Sequence, residues 1–160
     1  IEKQTIKWLA ELIGYNTDVY GFTESIKPLL QPHHKKALIL GTGGASKAVA
    51  FALQKLDIKY KFVSRNITED KLLYSALNEA VMNDFLVLIN CSPVGTFPNL
   101  DKAPNIPYQF ITNRHLLFDL IYNPKETKFL KEGKTAGAVI KNGYEMLQLQ
   151  AEKSWEIWNL

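Results

Sequence analysis

A short apolar run, Ala37-Leu38-Ile39-Leu40, stops at Gly41-Thr42-Gly43-Gly44-Ala45-Ser46, and helical spacing resumes with Val49, Phe51 or Ala52, and Leu56. A continuous apolar run suits a strand buried on both faces, and such strands belong to parallel sheets crossed by helices. Strand, glycine loop and helix in this order also make a cradle for an anion. The first turn of a helix has unsatisfied N–H groups and the positive end of a dipole, and glycines let a phosphate approach the backbone. Gly41 suits the tight turn and Gly43 the approach of a pyrophosphate. Ser46 stands where the dinucleotide fingerprint carries Gly or Ala, and it is small enough for close packing of helix on strand. The competing reading is a glycine-rich turn with no ligand.

The chain around this loop repeats the alternation. Ile6, Leu9, Ala10 and Ile13 predict a helix from about Lys3 to Ile13, closed by Gly14. A polar turn, Tyr15 to Asp18, then caps a second helix through Val19, Phe22 and Ile26 to Pro32. After the glycine loop come a strand from Tyr60 to Ser64, a helix through Leu72, Leu73 and Leu77, and a strand from Phe85 to Ile89. The Pro/Gly/Asn-rich loop Cys91 to Asn105 follows, then a strand from Leu116 to Asp119 and a short helix near Glu126 to Lys131. Tyr144, Leu147, Ala151, Trp155 and Trp158 form the strongest helical stripe. Strands alternating with helices imply an α/β fold, a doubly wound, mostly parallel sheet in three layers with right-handed crossovers. We divide the chain into leading helices over 1–34, a sheet domain over 35–140 and a closing helix over 141–160.

With 160 residues, 46% apolar and 22% charged, the chain can bury a single core, which excludes collagen-like, disordered and disulfide-stapled classes. The 19 basic and 16 acidic residues are scattered and sum to +3, too little to argue for nucleic acid or membrane. Cys91 is the single cysteine, so no internal disulfide forms, and no run reaches the ~18 apolar residues of a membrane span. A reducing, cytoplasmic compartment is the default expectation, and no metal site is expected. The chain opens on Ile1 without a methionine, so we expect its natural N-terminus to lie upstream.

The end of the second strand decides between dinucleotides. NAD-binding sheets of this kind place an acid there to accept from the ribose hydroxyls, whereas Ser64-Arg65-Asn66 offers a guanidinium, which pairs with the 2′-phosphate of NADP. NADP is therefore favoured, against the alternative that Arg65 is a solvated strand-end charge.

Separated motifs then converge on one family. GYNTDVYG (Gly14 to Gly21), GTGGAS (Gly41 to Ser46), INCSPVG (Ile89 to Gly95), FDLIYNPKET (Phe118 to Thr127) and NGYEMLQLQA (Asn142 to Ala151) together resemble the shikimate dehydrogenases, in the family's order and across almost the whole chain. The resemblance implies NADP-dependent interconversion of shikimate and 3-dehydroshikimate, on the route to chorismate and the aromatic amino acids. It further implies an N-terminal substrate domain, bearing the catalytic lysine, upstream of this chain. The chain itself would be the Rossmann-like cofactor domain, its terminal helices packing toward that absent domain, and alone it would turn over substrate poorly or not at all.

By motif position Asp18 matches the aspartate that pairs with the catalytic lysine and binds a substrate hydroxyl, although it also reads as a helix cap. Thr17 is a weaker candidate for the same pocket, and Gln150 matches the substrate-binding glutamine of the closing helix. Gly41, Gly43, Gly44, Ala45 and Ser46 carry over to the pyrophosphate, and Ser64 and Arg65 to the adenosine phosphate. Asn90 and Ser92 match the ribose and nicotinamide flank, and Leu120, Tyr122 and Gly143 line the nicotinamide pocket, with Tyr122 also reaching the substrate. Where the family often has Asn-Arg-Thr and a further arginine, this chain has Ser64-Arg65-Asn66 and Glu69, so one phosphate clamp is lost unless Lys71 compensates. Cys91 reads as a small buried thiol, since no motif places a histidine to activate it. The alternatives are a quinate/shikimate relative using NAD and a non-catalytic dinucleotide-binding module. Partners reduce to the small-molecule substrate and a homodimer formed through the apolar helix faces.

Overall fold

The apolar runs become the middle of a parallel sheet. In the computed structural model, which describes residues 2–159, the chain runs α1 (Glu2–Ile26), β1 (Lys36–Leu40), α2 (Gly44–Lys55), β2 (Lys59–Ser64) and β3 (Lys71–Leu73). It continues α3 (Glu79–Asp84), β4 (Val87–Asn90), β5 (Leu116–Asp119), α4 (Lys128–Thr135), β6 (Val139–Lys141) and α5 (Tyr144–Trp158). The six strands stand in the order β3-β2-β1-β4-β5-β6 and every pairing is parallel. That is the order of two βαβαβ halves meeting between β1 and β4, a Rossmann-like α/β fold.

Alternation along the strands builds two cores. Ala37, Ile39, Val87, Ile89, Leu116 and Phe118 face α1, α2 and α5, while Leu38, Leu40, Leu88 and Leu117 face the layer of α3 and α4. These strand residues are fully buried, as a sheet covered on both faces demands. The Phe22 ring meets Phe118 edge-on at 5.0 Å between centroids, fixing α1 on the sheet.

The leading segment departs from the expectation of a helix ending at Ile13 and a second starting at Asp18. One helix runs unbroken from Glu2 to Ile26, so Gly14 is helical and Asp18 caps nothing. An internal glycine costs a helix about 1 kcal/mol. Burial of Val19, Phe22 and Ile26 on the sheet outweighs it, and the Thr17 hydroxyl donates to the Gly14 carbonyl (2.9 Å) instead of competing with the helix.

The expected helix through Leu72, Leu73 and Leu77 is also corrected. Leu72 and Leu73 pair with Val63 and Ser64 in edge strand β3, and a helix starts only at Glu79, capped by Asn78, whose side chain accepts from the Val81 N–H (3.0 Å). Strand β6 has three residues and was not expected, because so short a segment carries no readable period.

The stripe in α5 is regular and faces outward. Tyr144 (54%), Leu147 (39%), Trp155 (72%) and Trp158 (69%) are exposed, and Met146 is the buried residue. Close contact with α1 sets this rotation: a Cβ on Gly21 would lie 2.6 Å from the Met146 carbonyl oxygen and 2.8 Å from Gln150 Cγ.

Candidate dinucleotide site

Strand register brings the motif residues to one edge. Leu40 lies opposite Val63 and Asn90, and Asn90 opposite Asp119, so the turns after β1, β2, β4 and β5 leave the sheet side by side. The crevice between the two halves opens above β1 and β4, where ligands bind in open α/β sheets.

Gly41 makes the turn at φ +110°, and a Cβ there would press on the Ser92 nitrogen (3.2 Å) and the Cys91 carbonyl carbon (3.3 Å). Gly43 is the N-cap of α2, and apart from their chain neighbours and the helix's own backbone no atom lies within 4 Å of where a Cβ of Gly43 or Gly44 would stand. The cradle is therefore open above the helix N-terminus, with room for a phosphate against backbone N–H groups. Ser46 is fully buried and its hydroxyl donates to the Gly43 carbonyl (2.6 Å), so it shapes the loop from beneath, while Ala45 is half-buried at its rim.

Ser64 ends β2 and accepts from the Asn66 N–H (3.1 Å), tightening the turn that exposes Arg65. Among the described residues no ion pair engages Arg65. Its charge lowers the Tyr74 hydroxyl, which burial more strongly raises. Lys71 lies opposite Phe62, lower in the sheet than the Arg65 turn.

The far side of the crevice is a polar network. Asn90 Oδ1 accepts from the Ser92 N–H (3.0 Å) and Ser92 Oγ (2.6 Å), and its amide nitrogen donates to Asp119 Oδ1 (3.1 Å). Leu120 is half-buried, Tyr122 is half exposed, and Gly143 is buried directly against the Leu120 carbonyl, leaving no space for any side chain. Cys91 is half-buried at the edge of the core, short of the fully buried thiol expected, and its thiol is pushed well up, by desolvation first and then by Asp119, so it remains a thiol.

Asp18 and Gln150, 132 residues apart, meet where α1 crosses α5, with Gln150 Nε2 donating to Asp18 Oδ1 at 2.5 Å. Burial raises the Asp18 carboxyl and the Gln150 hydrogen bond partly offsets it. Thr17 is buried, its hydroxyl turned into α1.

Sequence reasoning did not single out Asp119, Thr127 or Gly21. A carboxylate closing the apolar strand Leu116-Leu117-Phe118 was the legible signal for Asp119, since burying an acid needs a reason. The open clefts of about 460 Å³ by Tyr108 and Lys128, and about 440 Å³ by Lys125 and Lys141, lie away from the glycine loop. Among the described residues no His/Cys/Asp/Glu cluster suits a metal, and no helix is long and apolar enough to cross a membrane.

No protein-family model matches the chain. It is 38% identical over 161 residues to the shikimate dehydrogenase (NADP+) of Methanococcus aeolicus, a match covering 91% of this chain and 58% of that protein. The shikimate dehydrogenase structure from Aquifex aeolicus superposes with a TM-score of 0.76 at 33% identity, over 89% of this chain and 55% of the other. The Thermus thermophilus enzyme, solved with NADP(H) and shikimate, gives a TM-score of 0.71 at 28% identity, over 89% of this chain and 56% of the other. The chain thus spans a little under three fifths of the length of the relatives it matches. In sequence and in fold, the chain is thus a relative of the shikimate dehydrogenases across nine tenths of its length.

Proposed function

We propose that this chain is the dinucleotide-binding part of an NADP-dependent shikimate dehydrogenase, and that the crevice above β1 and β4 holds the cofactor. The observation that carries the reading is the open cradle at Gly43 and Gly44, set at the point where the strand order reverses, with an exposed Arg65 outside every described ion pair on the neighbouring strand end. The residues present fit the group: backbone N–H groups of the first turn of α2 for the pyrophosphate, and Ser64 and Arg65 for the 2′-phosphate. Asn90, Ser92, Leu120 and Gly143 form the wall toward the nicotinamide. When bound, the dinucleotide supplies a hydride acceptor or donor for the carbon bearing the hydroxyl or ketone.

On this reading Asp18 accepts from a substrate hydroxyl and pairs with a catalytic lysine supplied outside this chain, Gln150 orients both, and Tyr122 closes the substrate side. Thr17 supports the helix from within and contributes to the pocket wall. Residues 35–140 form the cofactor unit, 1–34 and 141–160 its links to the substrate domain. The chain alone binds dinucleotide without turnover. A single cysteine, held as an unionised thiol, supports a reducing, cytoplasmic setting. The exposed apolar side chains of α1 and α5 support a homodimer of this chain.

Calorimetric titration with NADPH and NADH tests the cofactor reading. NADPH should bind more tightly, and Arg65→Ala should weaken NADPH by about tenfold or more while leaving NADH within about twofold, since one charge-assisted pair contributes about 1.5–3 kcal/mol. A folded chain that binds neither dinucleotide, or an Arg65→Ala variant that weakens both equally, counts against it.

A further inference from the structure

Asp119 is a fully buried acid for which no cation stands within ion-pair distance among the described residues. Its partners are hydrogen-bond donors from separate segments. Oδ1 accepts from the Ile121 N–H (3.1 Å) and from Asn90 Nδ2 (3.1 Å), and Oδ2 accepts from Thr127 Oγ1 (2.6 Å). We infer that Asp119 is a positioning residue of the crevice, locking the 91–95 turn through Asn90 and the 120–127 loop through Ile121 and Thr127. The inference rests on the dinucleotide reading of that crevice and adds to it the element that holds its far wall.

The two ends of the Asn90 amide face partners of opposite kind. Its nitrogen donates to Asp119 and also reaches the Val94 carbonyl (3.4 Å), while its oxygen accepts from the N–H and Oγ of Ser92. An ionised carboxylate only accepts, so one amide orientation satisfies every partner. Turned over, the Asn90 oxygen would face two acceptors and its NH2 group would face the Ser92 N–H. Asp119 thereby selects the orientation that seats Ser92, whose nitrogen lies 3.2 Å from where a Cβ of Gly41 would be. The second arm works on the neighbouring loop. Thr127 gives its one proton to Asp119 and caps α4 with its lone pairs, accepting from the Leu130 N–H (3.4 Å). The two loops are joined once more, by the Leu120 N–H on the Asn90 carbonyl (3.1 Å).

Packing alone does not require an acid here. The strand is otherwise Leu116-Leu117-Phe118, and a buried carboxylate without a cation costs stability. Acids kept at such a cost cluster where geometry serves a site. The titratable groups that sense Asp119 are Cys91 and Tyr108, both raised chiefly by burial and so neutral, with Glu132 and Tyr74 acting on Tyr108.

Amide hydrogen exchange followed by NMR, with NADPH titration, tests this on Asp119→Asn and Asp119→Leu. Asparagine keeps an acceptor for Asn90 and Ile121, whereas leucine keeps the volume and removes every acceptor. In Asp119→Leu, protection of the Ser92 and Val94 amides and affinity for NADPH should each fall about tenfold or more, the worth of one buried hydrogen bond, with β1 and β4 amides still protected. Asp119→Asn should restore both to within about threefold. Wild-type exchange at Ser92 and Val94 in folded Asp119→Leu would overturn the inference, as would Asp119→Asn behaving like Asp119→Leu. Should the leucine variant not fold, the unaltered protein decides: the Asn90 side-chain NH2 and Ser92 N–H resonances should follow the Asp119 carboxyl titration with one midpoint, and independence overturns it. Loss of Ser92 protection in a protein that never binds NADPH would remove the dinucleotide reading and leave the role of Asp119 in seating the loops.

Discussion

Burial raises the Asp119 carboxyl to about 6, against 3.8 for the free side chain, and its hydrogen bonds from Thr127, Ile121 and Asn90 only partly offset this. Between these two values the folded protein holds a proton that the unfolded chain has released, so the contribution is stabilising in acid and is lost as pH rises through about 6. The scale is about 3 kcal/mol, two pK units at about 1.4 kcal/mol each. His34 and His115 act in the opposite sense. Each is buried, each Nδ1 accepts a backbone N–H (from Gln31 and from Thr112, 3.0 Å), and each Nε2 donates to a carbonyl (of Arg114 and of Met82, 2.9 Å). Burial lowers both, so their contribution is full above about 6.5 and falls as pH drops below it. Relative to Asp119→Asn, the wild-type chain should therefore lose stability by up to about 3 kcal/mol between pH 4 and 7, read from urea midpoints. Parallel profiles would remove Asp119 from the pH dependence. On the proposed reading Asp18, half-buried beside Gln150, acts on the substrate proton in the full-length protein. Asp18→Asn should cut turnover by about a hundredfold or more and leave NADPH affinity within about twofold, as a group acting on the substrate proton would. A loss confined to cofactor affinity would exclude it.

At the scale of elements, the crossing of α1 and α5 is what brings two distant motifs into contact. Gly21 gives the close approach, Met146 fills it, and Gln150 then reaches Asp18 across the interface. Gly21→Ala would place a methyl 2.6 Å from the Met146 carbonyl, so α5 must move outward. We expect a loss of about 1–3 kcal/mol, the usual cost of overpacking a fitted interface. The Asp18 carboxyl should also move down toward its ordinary range as it gains water. An unchanged denaturation midpoint with an unchanged Asp18 titration would show that the helices are not held by this contact. The helix runs through the expected boundaries at Gly14 and Asp18 for the same reason that this crossing matters. Local cap and glycine signals are weak, about 1 kcal/mol each, and burial of Val19, Phe22 and Ile26 overrides them.

For the whole molecule, the outward faces of α1 and α5 are the unbalanced feature. Ile6 (59%), Trp8 (59%), Trp155 (72%) and Trp158 (69%) present apolar surface to solvent. Light scattering of the chain should show a concentration-dependent dimer, and Trp8→Glu with Trp155→Glu should return it to monomer. A monodisperse monomer at high concentration would count against the dimer. The α/β class, the central strands, the glycine cradle and the Arg65 position were legible in sequence because each follows from a local pattern: an apolar run, a glycine loop between strand and helix, a cation at a strand end. The continuity of α1, edge strands β3 and β6, the rotation of α5, and the meeting of Asp119 with Asn90 and Thr127 were decided by tertiary structure. Each depends on contacts between residues distant along the chain, and burial and hydrogen-bond satisfaction there outweigh the small local preferences that a sequence displays.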